Sequence, residues 1–352
     1  MNMNYDVLII GAGPCGLSTA IECQNKGLSY IVIEKGNVVE AIYHYPTHQT
    51  FFSSADKLGI GNIPFIVEEH KPKRNQALVY YRQVVKEYNL NIKPYTEVTS
   101  INKLHNDLKH EQYYFEIKTK SMENNDTEIT FTASKVVVAT GYYLHHNELD
   151  VPGSQLQKVK HYFKEAHPYF NRDVLVIGGK NSSVDAAIEL EKAGANVTVV
   201  YRGSDYSKSI KPWVLPGFES LVRNNKIKMY FNTEVREILK DKVVLNQNGV
   251  NIEVPNDTVF AMIGYHPNYK LITDVGVEIK SDGKFKQPIF DENTMETNVK
   301  GLYLAGVIAA GDDANKIFIE NGKFHGGLIA DDIVKHISHV NDVDDENQFD
   351  NE

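Results

Sequence analysis

The sequence predicts an α/β fold built from two doubly wound units, and three observations lead there. Residues 6–34 read as an apolar strand, a glycine-rich turn, an amphipathic helix and a second apolar strand. Residues 173–201 repeat that order after a stretch of alternating patterns. At 352 residues the chain exceeds one ordinary core, so two domains, or one with a large insertion, are expected.

In the first unit the strand DVLII runs into Gly11-Ala12-Gly13-Pro14-Cys15-Gly16. Gly11 permits the tight turn, Gly13 lets the backbone approach a pyrophosphate, and Gly16 lets the helix pack closely on the sheet. The start of the helix then offers its free N–H groups to phosphate. Glu34 closes the second strand, where a carboxylate accepts hydrogen bonds from both ribose hydroxyls, and Lys35 follows it. Strand, helix, strand and acid in register read as a Rossmann-like dinucleotide site rather than an ordinary turn.

Residues 36–75 read as irregular and rich in His, Tyr, Phe, Ser and Gly, and loops of this length usually line a site. Helical spacing of Ala77, Leu78, Tyr81, Val84, Val85 and Tyr88 predicts a helix over 75–88. Alternating runs at 91–100, 113–120 and 127–133 predict a small antiparallel meander, with 121–126 as a turn. KVVVATG at 135–141 predicts a separate buried strand ending in a glycine turn.

The second unit keeps Gly178 but puts Lys180 in the place of the second fingerprint glycine and Ser183 in that of the third. The backbone approach to a pyrophosphate is then less close, with Lys180 adding charge and Asn181 and Ser182 adding donors. The strand ends in Tyr201-Arg202. A carboxylate there would repel a 2′-phosphate and a guanidinium would pair with it, so NADPH is expected over NADH; the alternative is a solvated strand end. A polar connection at 203–222 holds the only tryptophan, Trp213. Strands and turns lead on to Gly264, a late buried strand covers 297–306, and one helix is expected over 315–337. The expected division is 1–150, 151–268, a return to the first domain over 269–338, and a tail over 339–352.

Cys15 and Cys23 are the only cysteines. Eight residues apart on one helix, they stand about 12 Å apart along its axis, too far to bridge, and they supply neither a disulfide framework nor a metal cluster. The net charge of −9 argues against nucleic acid or an anionic membrane as partner. Much of it is local: residues 341–351 carry five acids and no base, and Glu352 adds a sixth, so this end reads as a solvated, disordered tail. No apolar run approaches the roughly 20 residues that span a bilayer, and the first strand begins too early for a signal peptide. The cytoplasm is the expected address.

The nested glycine units, the strand end Ala139-Thr140-Gly141 and the late GLYLAG segment together resemble the two-domain flavoproteins related to thioredoxin reductase, over nearly the whole chain. That resemblance implies a thioredoxin reductase-like architecture with an NADPH domain inserted in an FAD domain. It implies that Gly11, Gly13, Pro14, Cys15, Gly16, Glu34 and Lys35 hold the ADP half of FAD. Val98 would lie near the adenine, Ala139 to Gly141 near the pyrophosphate, and Gly306, Val307 and Ile319 near the isoalloxazine. Gly178, Lys180, Asn181, Ser182 and Arg202 would take NADPH.

Two departures stand out. Residues 161–170 contain no cysteine, which excludes the CxxC dithiol exchange of thioredoxin reductases. The late strand ends Gly306-Val307 where the family has Gly-Asp, with Asp312, Asp313 or a backbone group as substitutes. The wording GAGPCG, YPTHQTFFSS, GNIPF, GGKNSS, YRGSDYSKSIKPWVLP and FIENGKFHGG is similar to the YpdA family of bacillithiol disulfide reductases. This similarity implies an FAD- and NADPH-dependent reductase of a small disulfide, a bacilliredoxin-type thiol protein pathway, a homo-oligomer, and Cys15 as the redox thiol.

The residues themselves leave the role of Cys15 open. A helix N-terminus favours a thiolate, whereas phosphate charge opposes one, distance from the redox end of the flavin argues against contact, and a small apolar filler fits the position equally well. His325 is either a proton donor near the flavin or a packed histidine. Ser53, Tyr142 and His145 fall on the expected substrate side, and Lys208, Lys211 and Trp213 either cover NADPH or form a solvated loop. Rival activities are single-electron transfer to ferredoxin or flavodoxin, flavin monooxygenation, and nucleotide sensing without turnover.

Overall fold

The computed structural model describes residues 3–105, 113–123, 127–313 and 315–346. It divides into two compact units, one of Met1–Tyr43, Gln49–His145 and His266–Glu352, the other of His44–His48 and His146–Tyr265.

In the first unit β1 (Met3–Ile10) leads through α1 (Pro14–Asn25) to β2 (Tyr30–Ile33), which pairs parallel with β1. Pro14 occupies the start of α1, where a missing N–H breaks no helical bond. The stretch expected as irregular holds two single turns, α2 (Glu40–Tyr43) and α3 (Ala55–Leu58), before α4 (Arg74–Tyr88). Ala77, Tyr81 and Val84 line the buried face of α4, as their spacing predicts.

The run expected as one strand over 91–100 is two. β3 (Ile92–Lys93) joins β2, and Tyr95, at φ 50°, turns the chain into β4 (Thr96–His105). After β5 (Tyr113–Ser121), the two strands expected at 127–133 and 135–141 are a single strand, β6 (Glu128–Val138). The reason lies in its partners. β1 pairs with β6 along nearly its whole length, from Met3 opposite Phe131 to Ile10 opposite Val138, so the ladder carries the strand through Ser134. The sheet order is β3-β2-β1-β6-β5-β4. Of the turn expected at 121–126, residues 124–126 lie outside the described residues.

The second unit contains β7 (Val159–Lys160), β8 (Asp173–Ile177), α5 (Asn181–Lys192), β9 (Asn196–Val200), α6 (Leu215–Arg223) and β10 (Ile227–Tyr230). An antiparallel trio, β11 (Thr233–Ile238), β12 (Lys242–Gln247) and β13 (Val250–Pro255), precedes β14 (Thr258–Ala261). The parallel sheet runs β10-β9-β8-β14-β7. Alternation along β8 splits the core in two: Val174 and Val176 pack with Val184, Leu190 and Phe218 from the helices, Leu175 and Ile177 with Val243 and Leu245 from β12.

The chain returns to the first unit through α7 (Lys270–Asp274), the hairpin β15 (Ile279–Ser281) and β16 (Lys286–Pro288), and β17 (Leu302–Leu304), which pairs with Val136 to Val138 at the end of β6. The helix expected over 315–337 is two, α8 (Ile319–Gly322) and α9 (His325–Glu346). Asn321 closes α8 as a single turn, accepting from the Phe318 N–H at 2.7 Å and donating to the Lys316 carbonyl at 2.8 Å. α9 runs past residue 337 because no Gly or Pro follows Gly327 to stop it. The expected tail is therefore helical over 339–346, and 347–352 lie outside the described residues. No helix among the described residues is long and apolar enough to cross a membrane.

Candidate functional site

Three strand ends of the first unit stop abreast. The Gly11 N–H donates to Ile33 at 2.8 Å, Ala139 to Ile10 at 2.8 Å, and Ala305 to Val138 at 2.9 Å. In a doubly wound sheet this carboxyl edge is where ligands bind. The glycines here do different work. Gly11, at φ 108°, lies so close to the next strand that a Cβ would come 2.6 Å from the Ala139 carbonyl, and at Gly16 one would come 2.0 Å from the Gly11 carbonyl. At Gly13 a Cβ would meet nothing within 4 Å. The first and third glycines thus close the helix onto the turn, and the second leaves open space beside the helix start. That arrangement fits the pyrophosphate of FAD.

Glu34 is buried at the end of β2. Its two oxygens accept from the Ala12 N–H at 2.6 Å and the Gly36 N–H at 2.8 Å. Burial raises its pKa, and these backbone donors pull it back down. With two of about four lone-pair sites taken, the carboxylate retains capacity for ribose hydroxyls. Lys35 pairs at 2.7 Å with Glu97, next to the half-buried Val98. Thr140 is exposed, and Gly141, at φ 70°, faces open space.

Of the opposing influences on Cys15, burial prevails: it pushes the thiol up to about 12, the reverse of what the helix N-terminus alone would give. The same fact shows in its contacts: a Cβ at Gly306 would lie 2.9 Å from the Cys15 Sγ, and one at Gly322 3.0 Å from it. Cys15 and Gly306, assigned to opposite ends of the flavin, are therefore neighbours. His325 joins them, its Nδ1 accepting the Gly306 N–H at 3.1 Å. Burial lowers its pKa to about 4, so the ring is neutral at ordinary pH and carries its proton on Nε2. Val307 and Ile319 are half-buried on either side of this cluster in sequence.

The acids expected to replace the missing Gly-Asp partner are engaged elsewhere. Asp312 accepts from the Tyr269 hydroxyl at 2.8 Å and from the Lys286 N–H at 3.1 Å, and Asp313 lies 3.5 Å from Lys316. The group that meets Gly306 is His325. On the expected substrate side Tyr142 has its pKa raised by burial, Ser53 is half-buried, and the His145 ring lies 6.4 Å from that of His266.

The second unit repeats the turn. The Gly178 N–H donates to Val200 at 3.0 Å, Met262 donates to Ile177 at 2.9 Å, and a Cβ at Gly178, φ 137°, would lie 2.5 Å from the Met262 carbonyl. The third position differs, because Ser183 fits there, buried, with its hydroxyl donating to the Lys180 carbonyl at 2.8 Å. In this register Tyr201, not Arg202, stands where the first unit has Glu34. Its ring covers the turn, lying 2.4 Å from where a Cβ on Gly179 or Gly203 would fall. Sequence reasoning missed this cover, although glycines bracketing an aromatic were its visible trace. Lys180, Ser182 and Arg202 are exposed. Asn181 holds the following loop instead of standing free, donating to the Ser209 carbonyl and accepting from the Lys211 N–H, both at 2.9 Å. Lys208 is exposed, and the Lys211 ammonium lies 5.9 Å from the ring of the exposed Trp213.

Residues 8–306 match the pyridine nucleotide-disulphide oxidoreductase family. The chain belongs to that family. It is 54% identical to the bacilliredoxin reductase Bdr of Bacillus subtilis (strain 168), over 94% of this chain and 98% of that one. Among solved structures it is similar to the bacillithiol disulfide reductase Bdr (YpdA) of Staphylococcus aureus, with TM-score 0.88, 55% identity, and coverage of 95% of this chain and 99% of that one. The Bdr (YpdA) of Bacillus cereus gives TM-score 0.89 and 50% identity, covering 95% and 100%. A thioredoxin reductase of T. acidophilum, at 22% identity and TM-score 0.72, shares the fold. Membership makes the chain a flavin-dependent disulfide reductase of the thioredoxin reductase-like class and implies FAD and NADPH as its cofactors.

Proposed function

We propose that this protein reduces bacillithiol disulfide to two thiols at the cost of one NADPH and one proton. The observation that carries the reading is similarity over nearly the full chain to reductases named for that substrate. Gly11, Gly13, Gly16 and Glu34 would hold the ADP half of FAD, and Gly178, Lys180, Asn181, Ser182 and Arg202 would hold NADPH, with Arg202 on the 2′-phosphate. The chemistry that bound FAD would supply is two-electron transfer from NADPH to the disulfide.

Cys15 is the thiol proposed to meet the substrate. Its sulfur attacks one sulfur of the disulfide, a Cys15 mixed disulfide forms, and the first thiol leaves with the proton Cys15 gives up. Two electrons and two protons, the hydride equivalent of NADPH and one further proton, then release the second thiol and restore the Cys15 thiol. Burial keeps Cys15 protonated at rest, so its proton has to pass to the leaving thiol as the attack proceeds. His325 holds a proton at Nε2 next to the same strand end. The reading extends to a homo-oligomer in the cytoplasm, in a bacilliredoxin-type thiol pathway; both cysteines are free thiols, as a reducing compartment keeps them.

NADPH consumption by the FAD-loaded protein tests this, with bacillithiol disulfide, glutathione disulfide or a ferredoxin as acceptor. Acceleration by bacillithiol disulfide is expected, and its absence would refute the substrate. Full turnover by Cys15→Ala would refute the thiol step alone.

A further inference from the structure

Outside the nucleotide turns, the second unit gathers three side chains that the reductase chemistry does not use. His146, Glu148 and His161 each place a ligand-capable atom within 4.8 Å of the other two. The two imidazoles lie face to face, with centroids 3.7 Å apart and planes 9° from parallel. Each imidazole has a ring nitrogen that can offer an in-plane lone pair to a metal.

His161 Nδ1 is enclosed and has no hydrogen-bond partner among the described residues. A polar atom in that state is uncommon and calls for an explanation such as a missing ion. The surroundings hold it in place. The Tyr162 ring stands edge-on to His146 at 5.9 Å and stacks on Tyr265 at 5.3 Å, and the Tyr265 hydroxyl donates to the His161 carbonyl at 3.4 Å. Glu148 lies 3.8 Å from His146 Nδ1 with its side chain 71% exposed, so it can swing inward without disturbing the core.

We propose that His146, Glu148 and His161 bind a borderline divalent cation of the zinc class. Two imidazoles and a carboxylate suit Zn²⁺, Co²⁺ or Ni²⁺, whereas Mg²⁺ and Ca²⁺ want oxygen alone. In a tetrahedral site with bonds near 2.0 Å the ligand atoms stand about 3.3 Å apart, so the cluster needs to contract by about 1.5 Å at most, and one imidazole has to turn out of the stack, because rings in parallel planes cannot both aim an in-plane lone pair at one ion. The fourth position is left to water. A bound ion would tie residues 146–148 to His161 and give the orphaned nitrogen its partner. The cysteine count, which argued against a metal cluster, does not bear on these donors.

The test uses FAD-loaded protein freed of metal by a chelator. Titration with Co²⁺ should raise ligand-field bands in the red, beyond flavin absorption, and calorimetry with Zn²⁺ should give one equivalent bound. His146→Gln and Glu148→Gln should each weaken binding at least ~10-fold. Glu148 is exposed, so its variant folds, and circular dichroism checks the other. No cobalt band and no zinc heat would overturn the proposal. So would unchanged binding in both variants, or a thiolate-to-cobalt charge-transfer band, which would put the metal on a cysteine.

Discussion

Cys15 should alkylate far more slowly than an ordinary cysteine. With its thiol at about 12, the thiolate fraction at about pH 7.5 is about 3 × 10⁻⁵, against about 0.1 for a cysteine near 8.5, roughly 3,000-fold less. A more basic thiolate is a better nucleophile, by about 40-fold over this interval, so the net deficit is about 80-fold. The assay is iodoacetamide labelling of the native protein without substrate, with the Cys15 peptide followed by mass spectrometry. Cys23 is buried with its thiol also near 12, and serves as an internal reference, since both peptides should lag a denatured control. Labelling of Cys15 within about fivefold of the denatured rate would show an activated thiolate and refute the burial argument. The prediction concerns the resting enzyme and leaves the reaction with a bound disulfide free to be fast.

Gly13→Ala should leave Tm unchanged or raise stability by up to about 1 kcal/mol while lowering the flavin-to-protein ratio, because the added methyl meets no protein atom but enters the expected phosphate space. Gly16→Ala, whose methyl would fall 2.0 Å from a carbonyl oxygen, should unfold the first unit or cost more than about 4 kcal/mol, read by chemical denaturation. Arg202→Ala should raise the KM for NADPH about tenfold, about 1.4 kcal/mol, and leave that for NADH within about twofold; equal changes would remove the phosphate assignment. His325 has a folded pKa near 4 against 6.5, so the unfolded chain binds more protons between those values and stability rises with pH across that window. The gain is about 3 kcal/mol, complete above pH 6.5 and lost as pH falls toward 4, and His325→Gln should flatten that part of the Tm profile.

Local chemistry was legible where one segment decides the outcome. Gly16 sits against the Gly11 carbonyl five residues before it, a constraint the fingerprint spacing shows, and spacing was enough to find α4; the strands that crowd Gly11 and Gly178, at Ala139 and Met262, come from elsewhere in the chain. Contacts between distant segments were not legible. The joining of two expected strands into β6 depends on β1 as a partner, and the contact of Cys15 with Gly306 and Gly322 brings together positions nearly three hundred residues apart. That contact reverses the sign of the thiol shift expected from the helix end alone, because desolvation outweighs the dipole. Asp312 shows the same limit from the other side: a residue with suitable chemistry for a ligand is already held by Tyr269 and Lys286.

The pairing of β17 with the last three residues of β6 also sets an order of events during synthesis. Val138 leaves the ribosome well before Leu302, with 163 residues between them. At about 5–20 residues per second that interval lasts roughly 8–33 s, ample for the second unit to fold first. Through it, one flank of Val136 to Val138 waits without its strand, an apolar edge open to other chains. A nascent chain stalled before residue 300 therefore carries a finished second unit and an incomplete first one. Chaperone demand and aggregation should concentrate in that window.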